Sequence, residues 1–143
     1  MGDTLLIRPD LGGYEKAAKM RHPQSGHVAV ALPDGRIFVC TSGAYRAYGC
    51  EIYDPQTNNW EPAAPMIVFR RGHKAAVIYD TPPGSENPDE ERPVVLVSGG
   101  TFGEDDRDFE AYDIATNTWY LCERFAFDRR MQQHGMCVIS HYE

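Results

Sequence analysis

The sequence predicts an all-β chain assembled from a repeated unit of four short strands, and three observations carry that expectation. Glu51-Ile52-Tyr53-Asp54-Pro55-Gln56-Thr57-Asn58-Asn59-Trp60 returns as Glu110-Ala111-Tyr112-Asp113-Ile114-Ala115-Thr116-Asn117-Thr118-Trp119, with six identities in ten positions and a tyrosine seven residues before a tryptophan in each copy. Tyr14-Glu15-Lys16-Ala17-Ala18-Lys19-Met20 matches Trp60-Glu61-Pro62-Ala63-Ala64-Pro65-Met66 at an offset of 46, and a histidine follows each methionine by seven residues, at His27 and His73. The runs between these landmarks are short, rich in β-branched residues and bounded by Gly, Pro, Asn and Asp, the composition of strands and turns. Self-similarity at such a spacing marks stacked units that share a continuous core.

Each unit reads as strands a, b, c and d. Strand a follows the histidine, b ends at glycine, c contains the tyrosine and d starts near the tryptophan. Leu5-Leu6-Ile7-Arg8-Pro9 aligns with Glu51-Ile52-Tyr53-Asp54-Pro55 at the same offset, so residues 1–19 are expected to supply strands c and d of a preceding unit. Residues 20–64 form a full unit: Val28 to Leu32 as a, an Asp34-Gly35 hairpin, Arg36 to Gly43 as b, then the segments around Tyr53 and Trp60. Residues 65–126 form a second, with Ala75 to Tyr79 as a and Val94 to Gly100 as b, and residues 127–143 supply one strand a after His134. The tally is eleven strands. From histidine to tryptophan the second unit is longer, 46 residues against 33. Most of the excess is the proline-rich acidic stretch 81–92, expected as a mobile a–b loop, and Gly103 to Asp108 lengthens the b–c loop.

The 143 residues, 42% hydrophobic and 24% charged, suit one globular domain. A net charge of −7 argues against nucleic acid as the main partner. No run approaches the roughly 20 apolar residues that span a bilayer. The first residues lack the basic flank and cleavage site of a secretory signal, so a cytoplasmic protein with no membrane partner is expected. Cys40, Cys50, Cys122 and Cys137 show no CxxC spacing, which leaves free, mostly buried thiols as the reading.

Four strands per unit, a glycine pair after b, and Tyr followed seven residues later by Trp resemble kelch repeats, over Leu5 to Ile139. The Glu-x-Tyr-Asp-x-x-Thr-Asn-x-Trp segment, Ala64-Pro65-Met66 and Arg70-Arg71-Gly72-His73 are most similar to the kelch-like substrate receptors of cullin ubiquitin ligases, although the BTB and BACK domains of those receptors do not occur in this sequence. The resemblance implies a partial kelch β-propeller of about two full four-stranded blades plus parts of flanking blades. It also implies that Tyr53, Trp60, Tyr112 and Trp119 pack between blades while Gly43, Gly99 and Gly100 permit sharp bends. The first unit departs from the pattern, with Ser42-Gly43 where a glycine pair is usual. Eleven strands fall short of the four blades a closed propeller needs, so the chain is expected to be a fragment, to self-associate, or to be completed by another chain. His27, His73 and His134 recur at the head of strand a, and we assign them to packing rather than to a metal.

Antiparallel order puts the d–a and b–c loops at one end. That end is expected to collect Arg21, Arg70, Arg71, Arg129 and Arg130, with Tyr45, Arg46, Tyr48, Phe102 and Arg107. Guanidinium groups beside aromatic rings suit an acidic peptide, and the resembled receptors hold their substrates at this face. The competing reading pairs these arginines with Glu104, Asp105, Asp106, Asp108 and Asp128. Galactose-oxidase-type propellers also carry kelch repeats and would imply copper, but no GxSxG, HExxH or GxxxxGK[ST] motif is present. The expectation is a non-catalytic module without cofactor that recognises an acidic segment of a partner protein. The alternative is a structural subunit within a larger assembly.

Overall fold

A computed structural model describes residues 3–23, 26–41, 49–100 and 109–122. These residues form three antiparallel sheets, as the all-β expectation requires. The first sheet pairs β1 (Thr4–Arg8) with β2 (Gly13–Ala17) across a 3₁₀ turn at Pro9–Leu11. The second contains β3 (Val28–Ala31), β4 (Ile37–Cys40), β5 (Cys50–Asp54) and β6 (Asn59–Ala63), paired in chain order. The third contains β7 (Lys74–Asp80), β8 (Arg92–Ser98), β9 (Glu110–Asp113) and β10 (Thr118–Leu121), again in chain order. Strands a, b, c and d of the sequence reading therefore correspond to β3 to β6 and to β7 to β10. The strand expected after His134 lies outside the described residues.

Among the described residues, short turns connect β1 to β2, β3 to β4, β5 to β6 and β9 to β10. Asp34 stabilises the first hairpin by accepting the Arg36 N–H at 3.0 Å, with Gly35 in the left-handed region at φ 89°. The c–d turns repeat: Asp54 Oδ1 accepts the Gln56 N–H at 2.8 Å and Asp113 Oδ1 accepts the Ala115 N–H at 3.1 Å. Each turn ends on a left-handed residue, Asn58 at φ 51° and Asn117 at φ 54°, and Gly12 at φ 66° is their counterpart in the first sheet. The stretch between β7 and β8 is less featureless than its composition suggests. It is a series of turns in which Ser85 and Glu90 donate backbone N–H groups to the carbonyls of Pro82 and Asn87, and Pro82 is buried.

The sheets stack face to face. Phe38, Cys40, Cys50 and Ile52 of the second sheet meet Val95, Val97 and Tyr112 of the third, with the Phe38 and Tyr112 rings stacked 4.8 Å apart. Val39, Tyr53 and Trp60 pack in turn against Leu6, Ala17, Ala18 and Met20 of the first sheet and the segment leaving it.

The two tryptophans make equivalent joints. Trp60 Nε1 donates to the Ala18 carbonyl at 2.9 Å, and Trp119 Nε1 to the Ala64 carbonyl at 2.7 Å. The left-handed asparagines complete each joint: Asn58 Oδ1 accepts the Ala18 N–H and the Tyr53 hydroxyl, and Asn117 Oδ1 accepts the Ala64 N–H and the Tyr112 hydroxyl. A buried aromatic residue with a polar tip needs such partners. Tyr, Asn and Trp therefore recur together because they form one device that ties a sheet to the segment leaving the sheet before it.

Candidate functional site

The end of the molecule that gathers the d–a and b–c connections is organised by two buried carboxylates. Glu51 lies near the start of β5, Glu110 holds the matching place in the repeat at the start of β9, and both side chains are buried. Glu51 accepts the backbone N–H groups of Arg21 at 3.1 Å and His22 at 2.8 Å, and lies 2.9 Å from His22 Nδ1. Glu110 accepts the Ile67 N–H at 2.7 Å and the Arg70 Nε–H at 2.6 Å. A carboxylate withdrawn from water requires such donors, because its desolvation is otherwise uncompensated. Each carboxylate fixes the segment that crosses from one sheet to the next.

Arg70 corrects the expectation of an exposed partner-binding side chain. It is fully buried, with Nε on Glu110 and Nη1 donating to the Gly99 carbonyl at 3.0 Å. A buried carboxylate attracts the nearest cation able to reach it, and Arg70 is that cation. Arg21 and Arg71, by contrast, are exposed at this end, and Arg71 anchors its own backbone by donating its N–H to the Gly100 carbonyl. Gly100 has no room for a side chain: a Cβ there would stand 2.5 Å from the Arg71 carbonyl oxygen and 2.6 Å from the His73 nitrogen. Tyr45, Arg46, Tyr48, Phe102, Arg107, Arg129, Arg130 and Gly43 lie outside the described residues.

His73 is fully buried, with Nε2 3.1 Å from Cys40 Sγ on the second sheet. Burial, reinforced by the nearby Arg70 charge, lowers the imidazole to about 4, and burial pushes the Cys40 thiol up. The pair is therefore neutral at physiological pH and holds no thiolate for nucleophilic chemistry. His27, its counterpart in sequence, is exposed, so the two do not share an environment. Among the described residues, no group of three or more His, Cys, Asp or Glu side chains is arranged to hold a metal ion, and Cys40, Cys50 and Cys122 are buried thiols outside any disulfide.

The sequence places Asn58 in the c–d turn between Tyr53 and Trp60 but does not reveal the hydrogen bonds that Glu51, Glu110, Asn58 and Asn117 accept across the sheets. Their signal was present, since Glu and Asn are among the residues identical in both copies. No protein-family model matches the chain, and no curated protein matches it. Among the described residues, no helix is long and apolar enough to cross a membrane.

Proposed function

We propose that the chain is a partial kelch-type β-propeller that acts as a non-catalytic, cytoplasmic protein–protein interaction module. Its ligand is an acidic segment of a partner protein, taken at the end where the d–a and b–c loops meet. One observation carries the reading: Arg21 and Arg71, one on each crossing segment, are exposed while their backbones are hydrogen-bonded, through Glu51 and Gly100 respectively. Anchored backbones with exposed guanidinium groups offer bidentate donors for carboxylates at little ordering cost beyond the side chains themselves. Tyr45, Arg46, Tyr48, Phe102, Arg107, Arg129 and Arg130 belong to the same loops by sequence order and complete the proposed surface. Arg70 serves it indirectly, by holding the loop to Glu110.

The test is binding of a fluorescent Asp/Glu-rich peptide to the wild-type chain and to the Arg21→Ala, Arg71→Ala double variant. We expect affinity to fall by roughly tenfold or more, with unfolding unchanged and with binding weakened by salt. Equal binding by the two proteins would reject the arginine face.

A second reading, a structural subunit that completes a larger assembly, draws on the first sheet. Leu5, Ile7, Leu11 and Tyr14 are exposed there, an apolar row of the kind that marks interfaces. Light scattering separates the two, since a structural subunit is expected at a multiple of 16.1 kDa.

A further inference from the structure

Two of the buried thiols stand side by side. Cys40 on β4 and Cys50 on β5 are direct cross-strand partners, and both side chains belong to the core between the second and third sheets. The Thr41 N–H donates to the Gly49 carbonyl at 3.3 Å, which puts residues 41 and 49 at a hydrogen-bonded position of the ladder. Alternation along an antiparallel ladder then makes Cys40 and Cys50 a non-hydrogen-bonded pair, the closer kind, with α-carbons about 4.5 Å apart. A disulfide joins residues whose α-carbons are roughly 4.4–6.8 Å apart, so this pair is within bonding reach.

Packing of the repeat does not call for sulfur at these places. One step beyond the Val97 and Glu110 pair of the third sheet, the positions of Cys40 and Cys50 fall to Ser98 and Phe109, which are buried as well. Each of the two thiols also has a polar neighbour. Cys40 Sγ lies 3.1 Å from His73 Nε2, and the Met66 backbone N–H donates to the Cys50 sulfur. Cys122 packs in a different cluster, with Val94, Leu96 and Phe109, and Cys137 lies outside the described residues.

We propose that Cys40 and Cys50 form a reversible cross-strand disulfide when the protein meets a peroxide. Cys40 Sγ attacks one oxygen of hydrogen peroxide and becomes a sulfenic acid as the O–O bond breaks. The thiol proton passes by way of the neutral His73 imidazole to the departing hydroxide, which leaves as water. Cys50 Sγ then attacks the Cys40 sulfur. The S–O bond breaks, the S–S bond forms, and a second water carries away the Cys50 proton, while the Met66 N–H supports the charge that develops on the Cys50 sulfur. In sum, two thiols lose two electrons and two protons, and one peroxide becomes two waters. Burial keeps both sulfurs protonated at rest, so the first step is slow and quickens as pH rises. The second step is fast, because the partner sulfur is already in place. The pair therefore stops at the disulfide rather than climbing to sulfinic acid. Under a glutathione poise it stays reduced, and the bond marks exposure to oxidant. The inference goes beyond the recognition reading and does not depend on it.

The test treats the wild-type chain with hydrogen peroxide in native buffer, alkylates the remaining thiols under denaturing conditions, digests with trypsin and reads the products by mass spectrometry. Arg46 lies between the two cysteines, so the bridge appears as peptide 37–46 linked to peptide 47–70. That species is expected first, ahead of sulfinic acid at either position and of any link to Cys122 or Cys137. Dithiothreitol should return both cysteines to alkylatable thiols. A short loop alone also brings the two cysteines together, so the chain is equilibrated with oxidised and reduced dithiothreitol with and without urea. The folded chain should favour the link by roughly tenfold or more over the unfolded one, and the oxidised chain should unfold at correspondingly higher urea. All measurements use the wild-type chain, so loss of folding in a variant is not at issue. Sulfinic acid at Cys40 without the link, cysteines that stay alkylatable throughout, or a link no more favoured in the folded chain than in the unfolded one would overturn the proposal.

Discussion

Replacing Arg70 by alanine separates a structural arginine from a ligand-binding one. The substitution removes the 2.6 Å contact to Glu110 and the 3.0 Å bond to the Gly99 carbonyl, and it leaves a fully buried carboxylate that still accepts the Ile67 N–H but has lost its cation. Breaking a buried ion pair from one side costs about 3–5 kcal/mol, because the surviving charge stays desolvated. Against a domain stability of about 5–15 kcal/mol this is a large fraction. With a urea m-value near 2 kcal/mol/M, a loss of about 3 kcal/mol moves the unfolding midpoint down by about 1.5 M. Tryptophan fluorescence is a suitable readout, since Trp60 and Trp119 sit at the two joints between sheets. Adding Glu110→Gln to Arg70→Ala should recover part of the loss, because the charge needing compensation disappears while an acceptor for Ile67 remains. A change in stability under about 1 kcal/mol, accompanied by loss of acidic-peptide binding, would refute this reasoning and return Arg70 to the binding face.

Two further predictions concern the same joints. The His73 imidazole is lowered to about 4 by burial, so the unfolded chain takes up a proton near pH 6.5 that the folded chain refuses until about pH 4. Stability from this residue is complete above pH 6.5 and is lost as pH falls toward 4, by at most roughly 3 kcal/mol; urea titrations across that range should show His73→Leu with a flatter profile than wild type. Asn117 accepts two hydrogen bonds at φ 54°, so Asn117→Gly should cost about 2 kcal/mol for the bonds, and Asn117→Ala about 1 kcal/mol more for the left-handed backbone, measured as thermal unfolding shifts.

The strands were legible in the sequence because the repeat states each one twice. Ile37 to Cys40 and Val94 to Ser98 share little identity, yet both end before a turn and precede the same Glu-x-Tyr-Asp segment. The joint was legible only in part. Trp60 and Trp119 announced large buried side chains, but their Nε1 partners are backbone carbonyls, and any residue carries a carbonyl. The orientation of Arg70 was not legible at all. Two adjacent arginines look alike in sequence, and what turns one inward is a carboxylate 40 residues away. The histidines misled for a related reason: His27 and His73 match in register, but burial depends on the neighbouring sheet, and their neighbouring sheets differ.

The two buried glutamates show how an identical residue takes on unequal duties. Glu110 is neutralised by a fully buried arginine, whereas Glu51 is met by backbone N–H groups and by His22, whose side chain remains half exposed. The crossing segment after the second sheet is therefore fixed by a permanent charge pair, and the one after the first by hydrogen bonds open to water. In both, the exposed arginine is hydrogen-bonded through its own N–H. Ordering a long side chain costs up to about 2 kcal/mol, and ordering a backbone residue costs a comparable amount again. On the proposed reading, a ligand at Arg21 or Arg71 meets only the first of these costs. Packing alone would not require an exposed side chain on an anchored backbone, whereas recognition gains affinity from that combination.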